Sequence, residues 1–181
     1  MQRHIRTRAA IVAAAALVAA GAVTVGVSSA ETETNAKPAA AAKAKPKPKA
    51  AKPTKAEIAG LFDEWNAALQ TGDSEKVADL YASDAVLLPT LSPKVRTDRA
   101  GIVDYFDHFL ENKPKGEIVQ SEINVLDSNS AIDAGLYDFA LTDPETGVKR
   151  TAEARFSFEY EKRGGKWMIV NHHSSALPAA S

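Results

Sequence analysis

The chain has 181 residues, a formal net charge of -1 and no cysteine. That length fits one domain and leaves no room for a second core. The absence of cysteine excludes disulfides, thiolate nucleophiles and cysteine-based metal sites. Residues 1–55 carry ten Lys and Arg against two Asp and Glu, whereas residues 56–181 carry twelve against twenty-one. An acidic domain repels phosphate backbones, so we expect no nucleic-acid partner for the folded part.

Residues 1–30 have the pattern of a secretory signal peptide. Arginines cluster before position 9, an uncharged stretch covers residues 9–27, and small residues precede a cleavage position after Ala30. The alternative is an uncleaved membrane anchor, because about 20 apolar residues span a bilayer. Both interpretations predict a secreted or extracytoplasmic protein.

Residues 31–53 form a segment dominated by Lys, Ala and Pro, which predicts a disordered linker. Prolines prevent helix formation and like charges repel, so the segment is expected to be an extended spacer. An alternative is that its lysines hold anionic wall polymers. We expect membrane or cell-wall contact only through this N-terminal part of the chain.

Three helices are predicted at the start of the domain, which covers residues 54–178. Thr54 and Glu57 have the spacing of a capping box, and apolar residues then recur at helical spacing as far as the stop at Gly72. A short second helix is predicted from the cap Asp73 to about residue 84. A third helix begins after a cap at position 97 or 98 and ends before residue 114.

The rest of the domain has the two-residue periodicity of strands. A short strand is predicted at residues 85–88, between the second and third helices, and four longer ones follow at residues 117–126, 131–142, 148–162 and 166–174. Gly164 and Gly165 are typical of a tight hairpin turn. The pattern predicts an α+β fold, with three N-terminal helices packed in the concave face of a curved antiparallel sheet.

Two segments resemble a known family. The helical run from Trp65 to Asp73 and the ending from Gly164 to Pro178, which includes GGKW and HHSSALP, are similar to the SnoaL-like branch of the NTF2-like superfamily. Within it, the pattern resembles the SgcJ/EcaC-like or DUF4440-type proteins, which are similar to the association (hub) domain of calcium/calmodulin-dependent protein kinase II. The resemblance implies a cone-shaped fold with a pocket, and no kinase activity.

The resemblance also bears on which residues line that pocket. The hub domain has arginines that bind carboxylates, but alignment on Trp167 puts Phe158 and Ser174 at those positions, so that chemistry is not expected here. Arg96 is expected instead to brace the loop that contains Pro89 and Pro93. The candidate pocket residues are Trp65, Arg96, Phe106, Tyr137, Phe156, Phe158, Tyr160, Asn171 and His173.

The final strand supplies two adjacent histidines, which face opposite sides if the strand is regular. Counting by twos from Trp167 through Ile169 and Asn171 places His173 on the inner face, the face that Trp65 also contacts. We therefore predict that Trp65 and His173 lie on the same side of the domain wall. The same geometry argues against a paired-histidine metal site, and we expect neither a metal nor a cofactor.

Two functions remain open at this stage. No coherent acid/base pair is evident, since Tyr137 and Asp138 face opposite sides and Glu153 with Arg155 reads as an ion pair. This favours a non-catalytic, exported module that binds a small apolar ligand or assembles as a homodimer through the outer sheet. The alternative is a small-molecule isomerase, cyclase or oxidoreductase-like accessory enzyme acting on an apolar polyketide- or steroid-like substrate.

Overall fold

A computed structural model describes residues 50–179 of the chain. The predicted signal peptide and almost all of the predicted linker lie outside the described residues. None of the helices between residues 50 and 179 has the length and apolar character required to cross a membrane. Three helices and five strands are described: α1 Lys55–Gln70, α2 Ser74–Ala78, β1 Tyr81–Leu88, α3 Arg99–Leu110, β2 Lys115–Val125, β3 Ser130–Thr142, β4 Lys149–Arg163 and β5 Lys166–Ala176.

The helix starts follow from side-chain caps. Thr54 accepts a hydrogen bond from the backbone N–H of Glu57, and the Glu57 carboxylate accepts one from the Thr54 N–H, which confirms the capping box. The carboxylates of Asp73 and Asp98 accept hydrogen bonds from backbone N–H groups in the first turns of α2 and α3. Each cap satisfies N–H groups that have no partner inside the helix, so the chain enters the helix at a defined residue.

The second helix is shorter than its sequence pattern indicates. We expected it to reach about residue 84, but it ends at Ala78 and β1 begins at Tyr81. Tyr81 pairs with Ile169 of β5. The apolar spacing of this segment is also compatible with a helix, but its residues form a strand. Tertiary pairing thus overrides local periodicity in this segment.

The five strands form one sheet in the order β1-β5-β4-β3-β2. Four of them are antiparallel neighbours, whereas β1 lies parallel to β5. The prediction of an antiparallel sheet was therefore wrong for its first strand. The chain passes from β1 through α3 to β2, which lies at the opposite edge of the sheet. The third helix accordingly follows the first strand.

One extra residue in β5 reverses which side chains face the core. In the β4–β5 ladder Glu159 pairs with Asn171 and Tyr160 pairs with Ile169, which leaves Val170 without a partner. A bulge of this kind shifts the alternation of side chains by one position. Ile169 and His172 are therefore both buried, and His173 is exposed.

The bulge corrects the prediction for the last strand. Trp65 is buried and its ring lies 5.2 Å from the ring of His172, centroid to centroid, at an interplanar angle of 88°. The histidine that shares a side with Trp65 is thus His172 and not His173. Regular alternation counted from Trp167 is valid only as far as Ile169, because the extra residue follows.

A second bulge explains a glycine in β3. Val119 is the extra residue in β2, opposite the segment that contains Gly135. A Cβ atom on Gly135 would lie 1.9 Å from the carbonyl oxygen of Gln120, far inside van der Waals contact. Only glycine allows the two backbones to come this close without displacing β2.

Substitution at two glycines is expected to have opposite effects on stability. Gly135→Ala displaces the backbone of β2 and should lower the free energy of unfolding by about 1–3 kcal/mol. Gly60→Ala adds a methyl group to α1 where no atom lies within 4 Å, and should raise it by about 0.5–1 kcal/mol. Urea denaturation measures both, and equal effects would contradict the close approach at Gly135.

Truncation of Trp65 and of His173 to alanine should change the free energy of unfolding by very different amounts. Trp65→Ala removes a side chain that is 1% exposed and should cost about 3–5 kcal/mol of unfolding free energy. His173→Ala changes an exposed side chain and should shift it by less than about 0.5 kcal/mol. A large loss for His173→Ala would contradict the register given above for β5.

Candidate functional site

A cavity of about 280 Å³ lies between α3 and the inner face of the sheet. The helix contributes aromatic rings to one wall, and the facing ends of β3, β4 and β5 contribute the other. The loop after β1 completes the lining with Pro89, Thr90 and Leu91. Most of the lining is apolar: Trp65, Leu87, Tyr105, Phe106, Phe109, Tyr137, Phe139, Leu141, Ala152, Ala154 and Ala176. Such a surface suits the hydrocarbon part of a small molecule.

One polar lining residue is His172, which lies at one end of a hydrogen-bonded chain. Its Nδ1 is 2.8 Å from the hydroxyl of Tyr81, and that hydroxyl also accepts a hydrogen bond of 3.1 Å from Nε1 of Trp65. The imidazole is stacked on Phe158, with ring centroids 4.0 Å apart. Burial, with a smaller contribution from His173, lowers the pKa of His172 to about 3. The ring is therefore neutral at physiological pH.

A second hydrogen-bonded chain leads from the interior to the surface. The hydroxyl of Tyr137 donates to Oγ of Ser174 over 2.5 Å, and that oxygen is 2.5 Å from Oγ1 of Thr90, an exposed residue. Burial is the main reason that the pKa of Tyr137 lies well above its ordinary value, although the bond to Ser174 opposes it. The phenol thus stays protonated and acts as a donor.

The charged residues of the lining are at the solvent-exposed side. Arg150 and Glu153 both line the cavity and are both exposed. A general base that removes a proton inside an apolar site needs a carboxylate held within hydrogen-bonding reach of its substrate. Among the lining residues in the described part of the chain, the sole carboxylate is that of Glu153, which is accessible to water. The interior of the cavity presents a mostly apolar surface.

The structure brings together three of the nine residues predicted for the pocket. Trp65, Phe106 and Tyr137 line the cavity. The other three aromatic residues are buried in the core beside it and do not reach the cavity: Phe156, Phe158 and Tyr160. Alternation in β4 points these rings toward the core, as predicted, but they lie deeper in the domain than the cavity.

Arg96 lies outside the cavity. Its backbone forms two hydrogen bonds with Leu87, of 2.8 and 2.9 Å, and its guanidinium donates to Asp104 over 2.7 Å. These contacts close the loop that contains Pro89 and Pro93, which confirms the bracing role. The side chain faces a separate, more polar depression on the other side of Tyr105 and Phe109.

Asn171 and His173 do not line the cavity either. The bulge at Val170 puts them on the face opposite to Ile169, and His173 lies in a shallow groove on the outer face with Leu136 and Arg155. Sequence analysis missed His172, Tyr81 and Ser174 as functional candidates. The signal for His172 was present, because one of two adjacent strand histidines must face inward, but regular alternation selected its neighbour.

Two further expectations concern charged groups. The ion pair expected between Glu153 and Arg155 is not formed among residues 50–179, where ion pairs connect other residues, such as Arg163 with Asp84. In the same part of the chain, no cluster of three or more His, Cys, Asp or Glu side chains is arranged to hold a metal ion.

Comparison with known proteins places this geometry in a family. A model of the calcium/calmodulin dependent protein kinase II association domain matches residues 54–178. A Xanthomonas campestris structure named for the same association domain is 56% identical, with 73% of this chain and 96% of that chain covered and a TM-score of 0.68. None of the curated proteins compared with the chain matches it.

More distant structures share the fold. A ketosteroid isomerase-like protein from Erwinia carotovora atroseptica is 19% identical, with 68% of this chain and 95% of that chain covered and a TM-score of 0.58. An NTF2-like superfamily protein from Salmonella enterica serovar Typhimurium is 15% identical, with 70% and 93% covered and a TM-score of 0.61. The domain has the NTF2-like fold, and the chain belongs to the calcium/calmodulin dependent protein kinase II association domain family.

Proposed function

We propose that this protein is an exported binding module that takes up a small, mainly apolar ligand in its cone cavity. The observation that carries the proposal is the aromatic lining around an open volume of about 280 Å³. Apolar cavities of about 150 Å³ hold one benzene molecule, so this volume suits a bicyclic ring. Export is supported by the signal-peptide pattern of residues 1–30.

Binding is favoured over catalysis by the distribution of polar groups. The interior groups, His172 and Tyr137, are a neutral imidazole and a protonated phenol, and neither is a base of useful strength at neutral pH. The carboxylate of Glu153 is exposed, so water screens it. An isomerase-like reaction on a polyketide- or steroid-like substrate needs a desolvated base, and this requirement makes enzymatic activity the weaker alternative.

We also propose that the protein forms a homodimer through the outer face of its sheet. The association domain family suggests oligomerisation. On that face a shallow groove is lined by Leu136 of β3 together with residues of β2, β4 and β5. A half-buried leucine among polar side chains is a suitable centre for a contact between two copies.

Filling the cavity should abolish ligand binding. Ala152→Phe places a ring in the open volume and should weaken the binding of tetralin and 1-tetralone at least about tenfold, at a stability cost of about 1–3 kcal/mol. Thr151→Phe is the matched control, because the neighbouring side chain is exposed on the opposite face of β4. Calorimetric titration of the full chain measures both. Unchanged affinity in Ala152→Phe would place the ligand elsewhere.

Disruption of the outer face should give a monomer. Leu136→Glu puts a charge at the centre of the proposed contact and should halve the mass measured by light scattering after size-exclusion chromatography. Ala59→Glu, on the exposed side of α1, is the control and should leave the mass unchanged. A monomeric wild-type protein at high concentration would contradict the proposed dimer.

A further inference from the structure

The outer face of the sheet carries two opposite charges beside an apolar side chain. Tyr137 and Phe139 of β3 are buried in the core, so Leu136 and Asp138 face the other side of the sheet. Leu136 lies opposite Arg155 of β4 in the strand ladder, and directly opposed residues share a face. The leucine, the arginine and the aspartate are therefore neighbours on one surface.

Neither of these charges has an ion-pair partner within the described chain. Among residues 50–179, Arg155 and Asp138 take part in none of the salt bridges, whereas Arg99 and Arg163 each contact two carboxylates. Arg155 is exposed and Asp138 is half-buried. The outer face thus holds a cation and an anion that are both available to a partner.

The carboxylate of Asp138 also lies next to a second negative charge. Glu117 of β2 is directly opposite Asp138 in the ladder and forms no salt bridge among the described residues. Like charges opposed on neighbouring strands destabilise a sheet. A cation that approaches this face from another molecule would reduce the repulsion.

A surface with both charges can pair with a second copy of itself. In a closed dimer a two-fold axis relates the copies, so every pair across the contact occurs twice. Arg155 lies about 4.5–5.5 Å from Leu136 across the strands, and Asp138 lies about 7 Å from it along β3. An axis through Leu136 that runs between these two directions brings Arg155 of one copy over Asp138 of the other.

We infer that two reciprocal ion pairs, each between Arg155 of one copy and Asp138 of the other, hold the dimer around a central contact of the two Leu136 side chains. This inference rests on the dimer proposed above. Val119, at the bulge of β2 beside Gln120, is 59% exposed and adds apolar surface next to Leu136. The same axis makes the strands of the two sheets cross at close to a right angle, which is one of the two common ways in which sheets pack.

Charge reversal distinguishes this pairing from general damage to the contact. Arg155→Asp brings two carboxylates together across the dimer, and Asp138→Arg brings two guanidinium groups together. Each should raise the dissociation constant of the dimer at least about tenfold, because like charges then face each other. The double variant exchanges the two charges and should return the constant to within about threefold of the wild type.

The control makes the same change of charge on another surface. Asp63→Arg alters an exposed residue of α1, the helix whose buried side chains pack on the inner side of the sheet, and should leave the dissociation constant unchanged. Analytical ultracentrifugation of the full chain at low ionic strength measures the constant, and circular dichroism shows that each variant is folded. Arg155→Gln removes the attraction without adding repulsion, so it replaces a charge-reversal variant that does not fold and should weaken the dimer about threefold to tenfold.

The outcomes separate the ion pairs from the dimer itself. Weaker single variants with recovery in the double variant would support the pairing. A dimer that Arg155→Asp, Asp138→Arg and Arg155→Gln leave unchanged would overturn the ion pairs and leave the dimer standing. Weakened single variants without recovery in the double variant would also overturn the pairing, since the two residues would then act separately. A wild type that stays monomeric at high concentration would contradict the proposed dimer together with the inference.

Discussion

The extra residue at Val170 decides which histidine the cavity contains. Because the bulge shifts the alternation of β5, Ile169 remains in the core and His172 follows it inward. The shift brings Nδ1 within 2.8 Å of the Tyr81 hydroxyl, which in turn bonds to Trp65. One irregularity in a hairpin thus connects α1, β1 and β5 through side chains, at the place where the cone is hollow.

The local features of this fold could be read from sequence, since they depend on neighbouring residues. Thr54 with Glu57 marked the start of α1, and Gly164 with Gly165 marked the last hairpin, where both adopt positive φ. The predicted ends of β2 to β5 lie within two residues of those in the structure. Local periodicity and turn chemistry are short-range properties, and they suffice for these elements.

The missed features depend on partners far away in the chain. The parallel pairing of β1 with β5 joins residues about ninety positions apart, and it converts Tyr81 from the expected end of a helix to the start of a strand. The bulge at Val170 cannot be recognised in the sequence, because Asn171 and His173 are compatible with either the inner or the outer face of the sheet. As a result, the site prediction found the aromatic wall and selected the wrong histidine.

The cavity has a mostly apolar lining. Its interior holds a neutral imidazole and a protonated phenol, while its charged residues, Arg150 and Glu153, face water. Such an arrangement presents an apolar surface, and the sole carboxylate among the described lining residues is exposed to water.

The most direct test is a crystal structure of the full chain soaked with 1-tetralone. The account predicts that the bicyclic ring lies in the cavity among Trp65, Phe106 and Tyr137. Density for the ketone in the outer groove beside His173, and none in the cavity, would contradict it.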